Sequence, residues 1–380
     1  VARFNQHCRE SAFSYIKEWE VMTERIGCWL DMEHPYITLD NDYIESCWWI
    51  IKELWKKGLI YQGYKVTPHC PRCGTSLSSH EVALGYRDDV EDPSVYIKFK
   101  LRIPLAMNHD ANLSSILEPS ILAGKPVYFL AWTTTPWTLP GNTALAVAAD
   151  AEYAIVEVDN EYLILASALL KQVGLESYKV VGRVKGSDLI GMNYDSLYEC
   201  NIGGGGWHAK PAYRVIEGNF VSLDEGTGIV HIAPAYGEID LEAGRKEGLP
   251  LIHYVDLKGY IYDLRSRFTK EEGAQMLGAL PVGMARFEWE AERIPAMVTP
   301  EFTGVGIPRE LPFSGKFVKD ADPLIIEDLK SKGLVYRSER ITHTYPFCWR
   351  CESPLLYYAK RAWYIKTTAV KSELISGNAE

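Results

Sequence analysis

The spacing of apolar and polar positions changes twice along this chain. Between residues 10 and 26 the apolar side chains Phe13, Ile16, Trp19, Met22 and Ile26 recur at helical intervals up to Gly27. A second helix is predicted after Asp40, with Ile44, Cys47, Trp48, Ile51, Leu54 and Trp55 on one face before Gly58. Both read as packing helices, and Trp48 and Trp49 read as core rather than as a binding platform. From 95 to 300 the pattern is different. Short apolar runs bounded by Gly, Asp and Asn predict strands at 95–101, 127–132, 144–147, 153–158, 162–165, 179–184, 214–216 and 229–232, with Asp159-Asn160 as a hairpin turn. Many short strands with regular turns predict a barrel. Residues 103–123 have no clear period and read as a surface insertion, and 261–310 give no secure pattern. From about 320 the chain is predicted helical again, over 323–332.

Two strand ends stand out chemically. The run 127–132 empties into Thr133, Thr134, Thr135, Pro136, Trp137, Thr138, Leu139, Pro140, Gly141 and Asn142. Prolines withhold backbone donors and fix φ, so this is a rigid bend that presents hydroxyls; the plain alternative is a strand followed by a turn with capping threonines. The run 229–232 repeats the design, ending in His231, Ala233, Pro234 and then Asp240. By spacing alone Asp240 is equally an N-cap for the helix that would start at Leu241, and a lone strand histidine is more often structural than functional.

The chain has eight cysteines, four of them in two CxxC pairs, Cys70/Cys73 and Cys348/Cys351. Such pairs suggest metal knuckles rather than a disulfide framework, and together they would complete a closed, structural zinc site if the intervening residues fold back on themselves. Catalytic zinc is a poor reading, because His80-Glu81 begins like HExxH but has Leu84 at the second histidine. Gly203 to Gly206 reads as a flexible loop, since the lysine and hydroxyl residue of a phosphate-binding P-loop do not follow it.

With 380 residues, 47% of them hydrophobic, the chain has material for two or three domains. A net charge of -10 argues against a general nucleic-acid binder and leaves room only for a local basic rim. No apolar run is long enough to span a bilayer, and Val1 opens neither a signal segment nor an initiator sequence; the expectation is a soluble, cytoplasmic, monomeric protein, present here as an excised piece.

WTTTPWTLPGN, followed downstream by GTGIVHIAPAYGEID, resembles the editing domain of class I isoleucyl-tRNA synthetases, an outline shared by the valyl and leucyl enzymes. CRESAFSYIKEWE near the start, CPRCGTSLSSHEVALGY at 70–86 and YPFCWRCESPLLYYA at 345–359 extend the resemblance over effectively the whole chain. It implies an α+β, mixed fold: a β-barrel-like editing domain inserted through a zinc-bound stem into part of a Rossmann-type catalytic domain. The corresponding division is catalytic body at 1–65, first half of the stem at 66–94, editing domain at 95–310, and second half of the stem with the return to the body at 311–380. The implied function is hydrolysis of valine from the 3′ end of the isoleucine tRNA, with isoleucine excluded by size. A single hydrophobic pocket separates these two side chains by only about 1–3 kcal/mol, so a second sieve is required.

The resemblance also assigns roles. Thr133, Thr134, Thr135 and Thr138 would orient substrate and water, and Asp240 would hold the α-ammonium. Trp132, Asn142, His231 and Ala233 would line the site, with His231 shaping the amino-acid pocket. Ile239 stands where the family commonly has an acidic residue, which lowers the local negative charge. Neither the HIGH-type nor the KMSKS-type motif of adenylate formation occurs, so ATP and Mg2+ belong to the intact ligase and this piece is not expected to activate an amino acid by itself. Two rivals remain open at this stage: a valyl enzyme clearing threonine, and a non-catalytic, zinc-stemmed tRNA-binding module.

Overall fold

The computed structural model describes residues 1–102, 124–175, 177–202, 212–262, 305–308 and 311–378. The readings at 103–123 and Gly203 to Gly206, and most of 261–310, lie outside the described residues. The chain forms two compact units, 1–62 with 363–380, and 63–362.

The first unit is mainly helical, with helices Ala2–Phe13, Ile16–Arg25, Asn41–Lys56 and Lys371–Gly377. Asp40 and Gly58 bracket the third as expected, and the first predicted helix is interrupted at Ser14-Tyr15. The expectation that these helices bury their tryptophans is not met. None of the four contains a buried residue, and Trp19, Trp48 and Trp49 are each more than 60% exposed. Helical periodicity reports an apolar stripe; it does not report whether another element lies against that stripe.

β1 (Ile60–Cys70), whose first three residues belong to the first unit, forms a hairpin with β2 (Thr75–Ser76); in the second unit β3 (Tyr86–Lys100) begins a six-stranded sheet. That sheet continues with β4 (Val127–Thr133) and, beyond β5 (Ala144–Val147), takes in β6 (Glu152–Val158), β7 (Glu161–Ala166) and β8 (Lys179–Lys185). After β9 (Cys200–Ile202), β10 (Arg214–Glu217), β11 (Ile229–Ile232), β12 (Leu251–Ile252) and β13 (Val305–Pro308), β14 (Val335–Pro346) returns to it, giving the order β14-β3-β4-β7-β6-β8. The sheet is mixed, with β4 and β7 parallel and the other neighbours antiparallel. Asp159, at φ 52°, turns the β6–β7 hairpin.

Among the described residues no sheet closes on itself, so the barrel expectation is corrected to open sheets. Closure depends on strand tilt and register, neither of which is written in the spacing of apolar runs. Both faces of its central strands β4, β7 and β6 are buried, which explains their nearly unbroken apolar runs. Val127, Phe129 and Ala131 of β4 enter the largest core cluster, whereas Leu130, with Tyr128 and Trp132, enters a second one.

A smaller sheet, β10-β5-β11, supplies the other half of the site. Its central strand has Ala144 and Ala146 on the face that meets Ile216, Ile232, Ala243 and Leu249, and these small side chains admit the helix Glu238–Glu247. β11 lies against β4. The two chemically unusual strand ends are thereby brought together.

Candidate functional site

Alternation along β4 decides which of its residues reach the site. Thr133 is in phase with Phe129 and Ala131, while Trp132 is on the opposite face, where its Nε1 donates to Ser94 Oγ at 2.6 Å and its ring covers Gly226. The structure therefore separates Trp132 from the threonines. Past Thr133 the chain enters a short 3-10 turn, Pro136–Gly141, entirely buried. Its hydroxyls form a chain: Thr133 Oγ1 is 3.3 Å from Thr135 Oγ1, which is 3.4 Å from Thr138 Oγ1, which is 2.9 Å from His231 Nε2. Thr138 Oγ1 also donates to the Thr135 carbonyl at 2.8 Å.

A hydroxyl has one proton, so with Thr138 donating to Thr135 the partner His231 Nε2 is assigned as N–H, leaving Nδ1 a bare acceptor. That Nδ1 is buried without a partner among the described residues. Burial pushes the histidine down to about 4, so the ring is uncharged at neutral pH. A neutral imidazole makes a pocket wall for an apolar side chain, not a proton donor of the imidazolium kind. Thr134 differs from its neighbours: it is half-buried and its hydroxyl has no protein partner among the described residues.

Asp240 is not an N-cap. Gly237 occupies that position, and Asp240 is in the first turn of the helix with its Oδ2 accepting the Ala233 N–H at 2.9 Å. Gly237 leaves room for this, since a Cβ there would stand 2.7 Å from the Asp240 Cγ. Burial raises the carboxyl to about 7, with the Ala233 N–H opposing. Among the described residues no Lys, Arg or His pairs with it. A half-buried acid that water solvates poorly and no cation neutralises favours a positively charged partner.

Two further expected contacts are engaged by protein. Asn142 donates from Nδ2 to the Ala144 carbonyl at 2.9 Å and accepts the Tyr194 hydroxyl at 2.7 Å, and the Ala233 N–H is taken by Asp240. Asn142 is thus positioned as a lock between the 3-10 turn and β5. Spacing alone gives no indication of that.

Sequence reasoning missed Asp322 altogether. It lies on the helix Val318–Ser331, which begins five residues before the predicted start because Pro323 is tolerated within it. Its Oδ1 accepts the Trp137 N–H at 2.7 Å. A signal did exist: Val318, Ala321, Ile325, Ile326 and Leu329 define the buried stripe of that helix, and Asp322 falls within it.

The four paired cysteines also come together, with all four Sγ atoms within 4.8 Å of one another and none in a disulfide. The two knuckles are built alike. The N–H of Gly74 bonds the Cys70 carbonyl and the N–H of Glu352 bonds the Cys348 carbonyl, each at 2.8 Å, with both residues at positive φ (68° and 60°). Tetrahedral Zn–S bonds of about 2.3 Å place sulfurs roughly 3.8 Å apart, and Cys70 and Cys73 are 3.4 and 3.5 Å from Cys351. The donor set fits zinc. By contrast His80-Glu81 is structural: Glu81 closes a capping box with Ser78 on the helix Ser79–Ala83.

Residues 1–380 match the family described as tRNA synthetases class I (I, L, M and V). An isoleucine–tRNA ligase of Dehalococcoides mccartyi is 47% identical over 391 residues, covering 100% of this chain and 34% of the relative. Those of Clostridium acetobutylicum and Thermus thermophilus are 41% and 40% identical, each covering 100% of this chain and 30% of the relative. The chain thus spans about a third of the length of the curated relatives it matches. Among solved structures, the editing domain of the P. knowlesi cytosolic leucyl-tRNA synthetase aligns at a TM-score of 0.36 with 13% identity, covering 65% of this chain and 96% of that one. On the family match over its full length, the chain belongs to the class I tRNA synthetases of the isoleucine, leucine, methionine and valine group.

Proposed function

We propose that this chain is the editing segment of an isoleucine–tRNA ligase, hydrolysing valine from mischarged isoleucine tRNA. The observation that carries the proposal is the pairing of a half-buried carboxyl with no cation beside it among the described residues, Asp240, with the hydroxyl chain from Thr133 to His231. Asp240 takes the α-ammonium of the aminoacyl ester, and His231 forms the uncharged wall that admits valine and stops isoleucine. The ester linked to the 3′-terminal adenosine lies against the threonine-rich turn, where Thr134, whose hydroxyl has no partner among the described residues, orients the attacking water. Water oxygen bonds to the ester carbonyl carbon, the bond from that carbon to the ribose oxygen breaks, and the ribose oxygen takes up a proton. Valine then leaves as the free acid. Proximity and orientation do the work here, assisted by a neighbouring ribose hydroxyl, and no side chain is assigned as a general base.

Residues 95–310 form the editing domain in this reading, and 1–65 together with the end of 311–380 belong to the catalytic body. Between them, 66–94 and the start of 311–380 make the stem, with zinc held by Cys70, Cys73, Cys348 and Cys351. The intact ligase is a cytoplasmic monomer that joins isoleucine to its tRNA with ATP and Mg2+. No helix among the described residues is long and apolar enough to cross a membrane.

The test is release of labelled amino acid from valyl-tRNA and isoleucyl-tRNA, both on the isoleucine tRNA. Rapid release of valine alone is expected. Preferential release of threonine from a valine tRNA would reassign the site, and binding of tRNA without any release would make this a non-catalytic module. A second measurement addresses Thr134. Because its side chain bonds to nothing among the described residues, Thr134→Ala is expected to slow valine release about tenfold while moving stability by under roughly 0.5 kcal/mol. A large stability loss on thermal unfolding would place that hydroxyl in the core instead.

A further inference from the structure

We infer that Asp322 is a positioning residue for the proposed hydrolysis, acting with Tyr254 to clamp the backbone of Trp137 and so to set where Thr138 meets His231. The inference rests on the hydrolytic reading of the threonine-rich turn. That turn is only six residues long and contains Pro136 and Pro140, so few of its polar groups are held within it. Trp137 is the residue before Thr138, and both of its backbone polar groups are held by distant elements. Its N–H is bound by Asp322 Oδ1 at 2.7 Å, from a helix 185 residues away, and its carbonyl accepts the Tyr254 hydroxyl. The carbonyl belongs to the peptide that leads into Thr138. Fixing it fixes the hydroxyl that reaches His231 at 2.9 Å.

The clamp is anchored. One turn before Asp322, Lys319 grips both oxygens of Asp92 on β3 at 2.7 and 2.9 Å, and His343 on β14 reaches the same carboxylate at 3.0 Å. Lys319 is thereby committed to the large sheet. Asp322 is only 1% exposed, and its Oδ2 has no partner among the described residues. A half-satisfied carboxylate on the buried face of a helix is costly, and a packing role alone is met more cheaply by an apolar side chain. What the carboxyl contributes is a short acceptor contact, 2.7 Å, for the first N–H of the turn, which an apolar side chain could not make.

The test uses the intact ligase that contains this chain. Asp322→Ala is expected to lower kcat for valine release about tenfold with KM for valyl-tRNA unchanged, and Asp322→Asn, which keeps an acceptor oxygen, to return kcat to within about twofold. Tyr254→Phe removes one hydroxyl and is expected to lower kcat in the same direction, which keeps the test open should the alanine variant fail to fold. A folded alanine variant with unchanged kcat, or a folded asparagine variant that does not recover, overturns the inference. The second readout needs no substrate: in 15N-histidine protein the His231 ring resonances are expected to shift in Asp322→Ala and in Tyr254→Phe. No shift in either overturns the clamp, whereas a shift in protein that releases no amino acid retains the clamp and rejects the hydrolytic reading.

Discussion

Asp240→Ala is expected to abolish valine release while leaving the chain folded. A buried ion pair that loses one member costs about 3–5 kcal/mol, and at 1.36 kcal/mol per decade of rate that is a loss of roughly a hundredfold or more. The protein itself gives up one hydrogen bond, from the Ala233 N–H, so the structural cost is about 1–3 kcal/mol. The same carboxyl predicts a pH dependence. Burial raises it to about 7 in the folded chain, above the unfolded value of about 3.9. Its protonated form therefore favours folding: that contribution is complete below about pH 4 and disappears as pH rises through about 7. Ammonium binding needs the ionised form, so release of valine is expected to climb over the range in which stability declines. Asp240→Asn should flatten the stability profile and stay inactive. Release that persists in Asp240→Ala, or a pH–rate profile with no rise through 7, would remove the carboxylate from the site.

Removing metal is the second large effect. Stripping with a strong chelator, or replacing Cys70 by Ser, is expected to lower the melting temperature by roughly 10 °C or more, since structural zinc contributes many kcal/mol and each is worth about 2–4 °C in a unit of this size. The stoichiometry of bound zinc should fall from one to zero in parallel. Cys70, Cys348, Leu77, Val82 and Leu355 form their own small core, with Cys351 packed against it. Beyond the sulfurs, Glu81 ties the two knuckles together by accepting from Trp349 Nε1 and Arg350 at 3.2 and 3.1 Å. An unaltered melting curve in zinc-free protein, or a full zinc complement in Cys70→Ser, would refute the assignment.

Apart from β9, which the pattern did not predict, the strands between 95 and 232 were legible because each is an apolar run closed by a turn residue, and their observed limits fall within a residue or two of expectation except where β3 starts at Tyr86. β14 was not, because most of its positions are polar and half-exposed, as suits a sheet edge. The threonines, His231 and Asp240 were legible as residue types. Their division was not drawn from the pattern, although the period of two along β4 already separates Trp132 from Thr133. Asp322 was overlooked because a charged residue on an apolar stripe resembles noise until its partner is known, and Trp137 is 185 residues away. The exposure of the first helices was illegible for another reason: a stripe records what a helix can bury, and here only part of it, such as Trp55 against Trp363, meets a described neighbour.

The matched knuckles have a consequence in time. Cys70 and Cys351 are 281 residues apart, so a ribosome adding about 5–20 residues per second leaves the first pair of thiols waiting on the order of 14–56 s for the second. In the zinc-bound reading proposed above, a metal can find only half of its ligands throughout that interval. Newly made chains are therefore most open to thiol oxidation, and to capture of the wrong metal, before synthesis has passed Cys351, and the complete site marks the moment at which the two distant ends of the fold have met.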